Sequence, residues 1–160
     1  MSPADPVRTT PPILLVEDND DDILITKRAF EKGHLTNPLV VVRDGDEALD
    51  YVFRRGPFVQ APRPALMLLD LNLPRVDGFT VLRTVKGDPE ARSIPVVVLT
   101  TSKREEDVHR SYANYANTYI EKPVEFDRFV HVVQNLNVYW LLTARLPQPP
   151  EESETARGAA

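Results

Sequence analysis

Residues 66–74 read LMLLDLNLP, and this stretch is the strongest indication of the fold in the chain. Four consecutive apolar residues without polar alternation are typical of a strand that is buried on both faces of a parallel sheet. The carboxylate of Asp70 follows directly, where such a strand ends. Because ligands of open α/β sheets bind at the carboxyl ends of the strands, Asp70 is the first candidate site residue.

Similar apolar runs recur along the chain, and amphipathic segments separate them. The predicted strands are residues 13–16, 39–42, 66–69, 96–99 and, as a weaker run, 119–120. Apolar residues at helical spacing mark a helix after each strand. The first three helices are marked by Ile23, Leu24 and Phe30; by Ala48, Leu49, Val52 and Phe53, with an end at Gly56; and by Phe79, Leu82 and Val85. The fourth is marked by Val108, Tyr112 and Tyr115 behind a capping box of Ser102 and Glu105, and the fifth by Phe126, Phe129, Val130, Val133, Leu136 and Trp140. The alternation predicts an α/β protein, a doubly wound three-layer sandwich around a parallel five-stranded sheet.

The composition limits the class of protein. The 160 residues are 42% hydrophobic and include no cysteine, which favours one globular domain and excludes thiol catalysis and cysteine zinc sites. No stretch approaches ~18 consecutive apolar residues and no signal peptide is recognisable, so we expect no membrane span and a cytoplasmic location. Prolines cluster near both ends, and we expect a folded domain at 13–146 between disordered tails at 1–12 and 147–160.

The net charge of −5 is concentrated at the start of the first predicted helix. Glu17, Asp18, Asp20, Asp21 and Asp22 place five carboxylates within six residues, a number equal to the whole net charge. A mildly acidic chain without a basic stripe is a poor partner for nucleic acid or an anionic membrane. We expect Asp20, Asp21 and Asp22 to be solvated acids of the first helical turn, where the helix dipole favours negative charge.

Polar side chains follow four of the predicted strands at their carboxyl ends. Glu17 and Asp18 follow the first, Asp70 the third and Thr100 the fourth, and Lys122 closes the fifth. Three clustered carboxylates repel one another, and a hard divalent cation such as Mg²⁺, which prefers oxygen ligands, removes that conflict. A hydroxyl and an ammonium beside them are suitable donors to phosphoryl oxygens, and an aspartate that attacks phosphorus gives an acyl phosphate.

Four short segments together resemble the signature motifs of two-component response-regulator receiver domains. They are VEDN at 16–19, LDLNLP at 69–74, LTTS at 99–102 and EKP at 121–123. The resemblance covers about residues 13–142 and implies a flavodoxin-like (βα)5 fold with strand order 2-1-3-4-5.

A narrower resemblance is to the single-domain regulators that pair with bacterial and cyanobacterial phytochrome histidine kinases. It is carried by LLDLNLPRVDG at 68–78, IPVVVLTTS at 94–102, the long connection at 54–64 and the YWL sequence at 139–141. The implied partner is a sensor histidine kinase of the phytochrome type.

The receiver resemblance also implies roles for individual residues. Asp70 would accept a phosphoryl group from a phosphohistidine of the kinase, and Thr100 and Lys122 would bind its oxygens. Glu17, Asp18 and Asp70 would hold Mg²⁺, with Mn²⁺ able to substitute.

The remaining implied roles concern the metal, the switch and the lifetime of the phosphorylated state. The backbone carbonyl of Asn72 would complete the metal ligands. Tyr119 would be the switch aromatic that occupies the space vacated when Thr100 moves toward the phosphoryl group. The side chains of Asn72 and Ser102 would tune autodephosphorylation.

Three other classes of function are alternatives to a phosphorylation-controlled signalling protein. A haloacid-dehalogenase-type phosphatase also uses an aspartate and Mg²⁺, but it needs a second carboxylate where Asn72 stands. An unphosphorylated pseudo-receiver scaffold is disfavoured because every expected site residue is present. A transcription factor is disfavoured because only 14 residues follow Leu146. We therefore expect a phosphoacceptor with only self-directed phosphoryl chemistry, not a true enzyme.

The last predicted helix carries more apolar surface than one buried stripe needs. Its additional apolar residues are Val132, Val138, Tyr139, Leu141 and Leu142. A thick core under the C-terminal tail is one interpretation; the favoured one is a homodimer through the fourth helix, fifth strand and fifth helix. The isolated histidines His34, His109 and His131 are expected on the surface.

Overall fold

The computed structural model describes residues 10–101, 105–122 and 125–136. Its strands are β1 (Ile13–Val16), β2 (Leu39–Val42), β3 (Leu66–Leu69), β4 (Val96–Thr100) and β5 (Thr118–Glu121). They form one parallel sheet in the order β2-β1-β3-β4-β5. The predicted fold class and strand order are thus confirmed.

Within the described residues, five α-helices alternate with these strands and cover both faces of the sheet. They are α1 (Asp20–Lys32), α2 (Gly45–Val52), α3 (Gly78–Gly87), α4 (Glu105–Ala113) and α5 (Phe126–Leu136). The apolar residues of α1 and α5 pack on one face, and those of α2 and α3 pack on the other. The guanidinium of Arg110 in α4 lies 4.1 Å from the ring centroid of Phe79 in α3, which places α4 beside α3.

The central strands are buried as their sequences predict, whereas the edge strands are not. Every residue of β1, β3 and β4 is buried. In β2 three of four residues are only half-buried, and β5 contains no buried residue. The expectation that all apolar runs would be buried on both faces is therefore wrong for the edges, where a strand has one neighbour and incomplete helix cover.

Polar residues just before three helices fix where those helices begin. The side chains of Asn19, Asp44 and Asp77 accept hydrogen bonds from backbone N–H groups three residues further on, at 3.0, 2.8 and 2.8 Å. Each cap satisfies a donor that lacks a partner within the helix. Loops at the carboxyl edge of the sheet are thereby held next to the candidate site.

Three details of the predicted helices are wrong. Leu24 is 46% exposed, so it lies on the solvent side of α1. The second helix ends at Val52 and not at Gly56, which has a positive φ of 56° and begins a short 3-10 turn. In α4, over residues 106–113, Ser111 is buried, whereas Tyr112 is exposed and Tyr115 lies beyond the helix end, 75% exposed.

Several expectations lie outside the described residues. They are the cap and lifetime roles of Ser102, residues 1–9 of the predicted tail at 1–12, the predicted tail at 147–160, and the apolar residues Val138, Tyr139, Trp140, Leu141 and Leu142. Within the part of the chain that the structure describes, no helix is long and apolar enough to cross a membrane.

Candidate functional site

The backbone carries the predicted site residues to one edge of the sheet. Hydrogen bonds continue the strand ladders by one residue: Glu17 N donates to Val42 O at 3.0 Å and Asp70 N to Val16 O at 3.1 Å. Lys122 N donates to the carbonyl of Thr100, the last residue of β4, at 2.7 Å. These residues therefore lie at the carboxyl ends of adjacent strands, as the rule for open α/β sheets predicts.

Three carboxylates converge at this edge. Glu17, Asp18 and Asp70 each place one carboxylate oxygen within 4.8 Å of the others. Glu17 is 2% exposed and Asp70 is 8% exposed, while Asp18 faces solvent. Such a group of hard oxygen ligands, open to water on one side, can hold a divalent cation.

Backbone amides orient two of these carboxylates. Asn19 N donates to Glu17 Oε1 at 3.2 Å, and Asn72 N donates to Asp70 Oδ1 at 3.1 Å. Lys122 contacts the other oxygen of each carboxylate, Oε2 of Glu17 and Oδ2 of Asp70. The loops after β1 and β3 thus fix the direction in which the carboxylates present their charge.

Lys122 lies among carboxylates from three parts of the chain. Its Nζ donates to Glu17 Oε2 and, at 3.2 Å, to Asp22 Oδ2, and it lies 3.7 Å from Asp70 Oδ2. Lys122 itself is 8% exposed, so its charge is compensated inside the protein. The prediction that Lys122 joins the acidic residues at this edge is consistent with these contacts.

Burial and these neighbours shift two pKa values. Burial raises the pKa of Glu17 to about 7, and the hydrogen bond and charge of Lys122 offset that effect only in part. Burial alone would lower the pKa of Lys122, but the hydrogen bond that Lys122 donates to Glu17 and the charges of Asp70, Glu17 and Asp22 outweigh burial and raise that pKa. Glu17 is thus a buried carboxyl whose ionised form depends on nearby positive charge, and a divalent cation at this site would favour that form.

Thr100 and Asn72 lie on the other side of Asp70. Thr100 is fully buried, and Asn72 Nδ2 lies 3.5 Å from Thr100 Oγ1. Tyr119 is half-buried in β5 and pairs in register with Val98, two residues before Thr100. Because side chains alternate along a strand, Thr100 and Tyr119 lie on the same face of the sheet.

Asp22 is a contact residue that the sequence interpretation missed. It was predicted to be a solvated acid, but its side chain is about one-third exposed and reaches Lys122, 100 residues further along. No local signal in the sequence marks Asp22, because α1 begins at Asp20 and the preceding acid, Asp18, lies before the N-cap Asn19. Asp20 and Asp21 are exposed as predicted, and Asp20 pairs with Arg43.

Gly78 is a second residue near the site that sequence analysis did not identify. A Cβ at this position would lie 2.4 Å from Asp70 O and 2.5 Å from Leu71 Cα. Only a glycine lets the start of α3 approach the backbone of Asp70 so closely. The predicted surface histidines His34, His109 and His131 are all exposed.

Comparison with known proteins identifies relatives along nearly the whole described chain. Residues 13–134 match the family model of the response regulator receiver domain. The probable methanogenesis regulatory protein FilR2 of Methanothrix harundinacea is 44% identical over 138 residues, covering 86% of this chain and 88% of that protein. Response regulator Rcp1 of Synechocystis sp. is 40% identical over 135 residues, covering 84% of this chain and 92% of Rcp1.

Solved structures have the same fold. The phosphorylated cyanobacterial phytochrome response regulator RcpA superposes with a TM-score of 0.80 at 43% identity, over 86% of this chain and 99% of RcpA. The Mn²⁺-bound form of Rcp1 gives a TM-score of 0.78 at 39% identity, over 86% and 99% of the two chains. The bacteriophytochrome response regulator AtBRR gives 0.69 at 49% identity, over 86% and 98%. Sequence, fold and site geometry agree, and the chain belongs to the response regulator receiver domain family.

Proposed function

We propose that this response regulator accepts a phosphoryl group on Asp70 from a phosphohistidine of a sensor histidine kinase. The observation that carries the proposal is the position of the Asp70 carboxylate. It lies between two other carboxylates that can share a cation and the ammonium of Lys122, 3.7 Å away. A carboxylate nucleophile beside positive charge is what transfer of a phosphoryl group to aspartate requires.

The proposed transfer forms one bond to phosphorus and breaks another. An oxygen of the Asp70 carboxylate forms a bond to phosphorus while the phosphorus–nitrogen bond of the phosphohistidine breaks. The imidazole leaves with the electron pair of that bond and is protonated. Lys122 and the Thr100 hydroxyl would donate hydrogen bonds to the phosphoryl oxygens. Hydrolysis of the acyl phosphate by water would return Asp70, so the only chemistry we assign is this self-directed phosphoryl transfer and autodephosphorylation.

The metal we propose is Mg²⁺, with Mn²⁺ able to substitute. Glu17, Asp18 and Asp70 would supply carboxylate oxygens and Asn72 its backbone carbonyl. When bound, the ion supplies positive charge against the phosphoryl oxygens. The fit is supported by the three converging carboxylate oxygens, of which two belong to the buried residues Glu17 and Asp70. A bound cation would also favour the ionised form of Glu17, whose pKa burial raises.

The kinase we propose is of the phytochrome type. RcpA is a cyanobacterial phytochrome response regulator, and AtBRR is a bacteriophytochrome response regulator. Both cover most of this chain at more than 40% identity. The test is transfer from an autophosphorylated phytochrome kinase compared with an unrelated histidine kinase. Equal rates from both would contradict this assignment without affecting the role of Asp70.

We further propose that Thr100 and Tyr119 form the switch and that α4, β5 and α5 form the output surface. The two switch residues share a face of the sheet, and β5 is an edge strand. Tyr112 on α4 is exposed, which gives this side of the molecule an apolar group for a partner or a second copy. A phosphorylation-dependent shift toward dimers in sedimentation would support the proposal, whereas a concentration-independent monomer in both states would contradict homodimerisation.

The test of the phosphoacceptor uses radiolabelled acetyl phosphate with Mg²⁺. The wild type is expected to acquire label, and D70N is not. D21N is the matched control, because it also removes one carboxylate near the site, from an exposed position. Chelation of the metal is expected to abolish labelling, and added Mg²⁺ or Mn²⁺ to restore it.

Two results would contradict the proposal. Labelling of D70N as strong as that of the wild type would show that another residue is the acceptor. A wild type that acquires label from neither acetyl phosphate nor a kinase would favour the unphosphorylated scaffold. A D21N variant labelled like the wild type completes the expected pattern.

A further inference from the structure

Asp22 is the acid at this edge that the proposed function does not use. The carboxylates that can share a cation are Glu17, Asp18 and Asp70, and Asp22 is not among them in the described part of the chain. Its carboxylate instead accepts a hydrogen bond from Lys122 at 3.2 Å. This contact joins the first turn of α1 to the end of β5.

Lys122 has a limited number of donors, and two of them are already used. An ammonium carries three N–H groups. In the structure Lys122 donates to Glu17 and Asp22, whereas the Asp70 oxygen at 3.7 Å is beyond hydrogen-bond distance. The ammonium is therefore held on the α1 side of Asp70.

The position of Asp22 is itself fixed by local contacts. Its backbone N–H donates to the Asn19 side chain at 3.0 Å, and its carbonyl accepts from Thr26 Oγ1 at 2.8 Å. Its carboxylate is thus presented to Lys122 from a capped and ordered helical turn. Water can reach it, because the side chain is about one-third exposed.

A cavity borders the pair of Asp22 and Lys122. A cavity of about 110 Å³ lies between α1, the end of β4 and α5, and Asp22, Thr26, Leu99, Thr101, Lys122 and Phe129 are among the residues that line it. Within this region the ammonium contacts carboxylates, those of Glu17 and Asp22 by hydrogen bonds and that of Asp70 at 3.7 Å.

We propose that Asp22 is a positioning residue that holds Lys122 away from the phosphoryl site and competes with the phosphoryl group for it. This inference rests on the proposed function of Asp70. When phosphoryl oxygens arrive on Asp70, Lys122 moves toward them and its bond to Asp22 lengthens or breaks. Asp22 therefore weakens the phosphorylated state relative to the unphosphorylated one.

The experiment compares D22N with D21N, which removes the same charge from a neighbouring exposed residue of the same helical turn. The probe is beryllofluoride, a phosphoryl mimic, titrated in the presence of Mg²⁺. D22N is expected to bind it about threefold to fivefold more tightly than D21N, the range for loss of a partly exposed ion pair. The affinity for Mg²⁺ alone is expected to be equal in the two variants.

A double-mutant cycle separates positioning from a structural effect on α1. In a K122M background, D22N is expected to bind beryllofluoride as K122M alone does, because the residue through which Asp22 acts is missing. Equal affinities of D22N and D21N would overturn the inference, as would a D22N effect that persists in K122M.

The labelling experiment with acetyl phosphate distinguishes the two possible failures. A wild type labelled on Asp70, together with equal affinities of D22N and D21N, overturns the role of Asp22 alone. A wild type that neither acquires label nor binds beryllofluoride overturns the proposed function and this inference with it.

Discussion

Lys122, which is buried, and Lys86, which is half-buried, lie at opposite ends of the strands and are held in different ways. Lys122 at the carboxyl edge contacts the carboxylates of Glu17, Asp22 and Asp70. Lys86 in the last turn of α3 donates instead to Arg92 O at 3.0 Å, Ile94 O at 2.7 Å and the Asn117 side chain at 3.2 Å. Charged partners surround one lysine, and neutral acceptors surround the other.

The pKa values of the two lysines follow from these partners. Burial lowers the pKa of Lys86 to about 8, because neutral oxygens do not compensate a buried charge. Burial has the same tendency at Lys122, but the neighbouring carboxylates outweigh it and raise the pKa. The carboxylates at the carboxyl ends of the strands thus stabilise the charged form of Lys122. At the opposite ends, the Lys86 ammonium links the segments that precede β4 and β5.

The largest expected difference between the two lysines concerns phosphoryl transfer. K122M removes the ammonium beside Asp70, and we expect labelling by acetyl phosphate to slow about 100-fold, the usual effect of removing one donor to a developing oxyanion. K86M makes the same substitution at the opposite edge and is expected to leave the labelling rate within about twofold of the wild type. Similar losses in both variants would contradict a specific role for Lys122.

The glycines at the two ends of α3 differ in the space around them, as the two lysines differ in their partners. G78A places a methyl group against the backbone of Asp70 and Leu71, and we expect it to destabilise the protein by about 1–3 kcal/mol and to slow labelling. G87A, at the far end of the same helix, meets no atom within 4 Å and is expected to stabilise it by about 0.4–1 kcal/mol. Urea denaturation measures both, and an equal effect of the two substitutions would contradict the account.

Stability should depend on Lys86 although phosphoryl transfer does not. K86M removes the donor to the carbonyls of Arg92 and Ile94 and to the Asn117 side chain, which also accepts from Val96 N at 2.8 Å. Leaving these acceptors without their donor is expected to lower the free energy of unfolding at neutral pH by about 1–2 kcal/mol. A K86M variant as stable as the wild type in urea would show that water replaces the ammonium without loss.

The last prediction concerns the pH dependence of that difference. The pKa of Lys86 is about 8 in the folded protein and 10.5 ordinarily, so between these values the unfolded chain binds more protons. The contribution of Lys86 to the free energy of unfolding therefore rises as the pH rises from about 8 to 10.5. Urea denaturation across this window should favour the wild type increasingly over K86M, and a constant or shrinking difference would contradict the lowered pKa.

Much of the fold could be predicted because the patterns that indicate it lie within short stretches of the sequence. Three central strands are continuous apolar runs, which only a doubly covered sheet accommodates, and polar residues follow them directly. The site was predictable for the same reason, since strand ends bring residues 17, 70, 100 and 122 to one edge.

What could not be predicted depends on contacts between distant residues. The pairing of Asp22 with Lys122 joins residues 100 positions apart, and no local pattern distinguishes Asp22 from its exposed neighbours. Helical spacing likewise does not reveal that Tyr112 and Leu24 face solvent, because an apolar stripe shows a preferred side but not whether the protein covers it.

The central claim is that Asp70 itself carries the phosphoryl group, and chemical trapping tests it most directly. Borohydride reduces an aspartyl phosphate to homoserine, so the wild type treated with acetyl phosphate and Mg²⁺ and then with borohydride should contain homoserine at position 70. The same treatment without acetyl phosphate is the control and should leave aspartate there. Homoserine at another acidic position, or a phosphoryl group recovered on a hydroxyl side chain, would contradict the account.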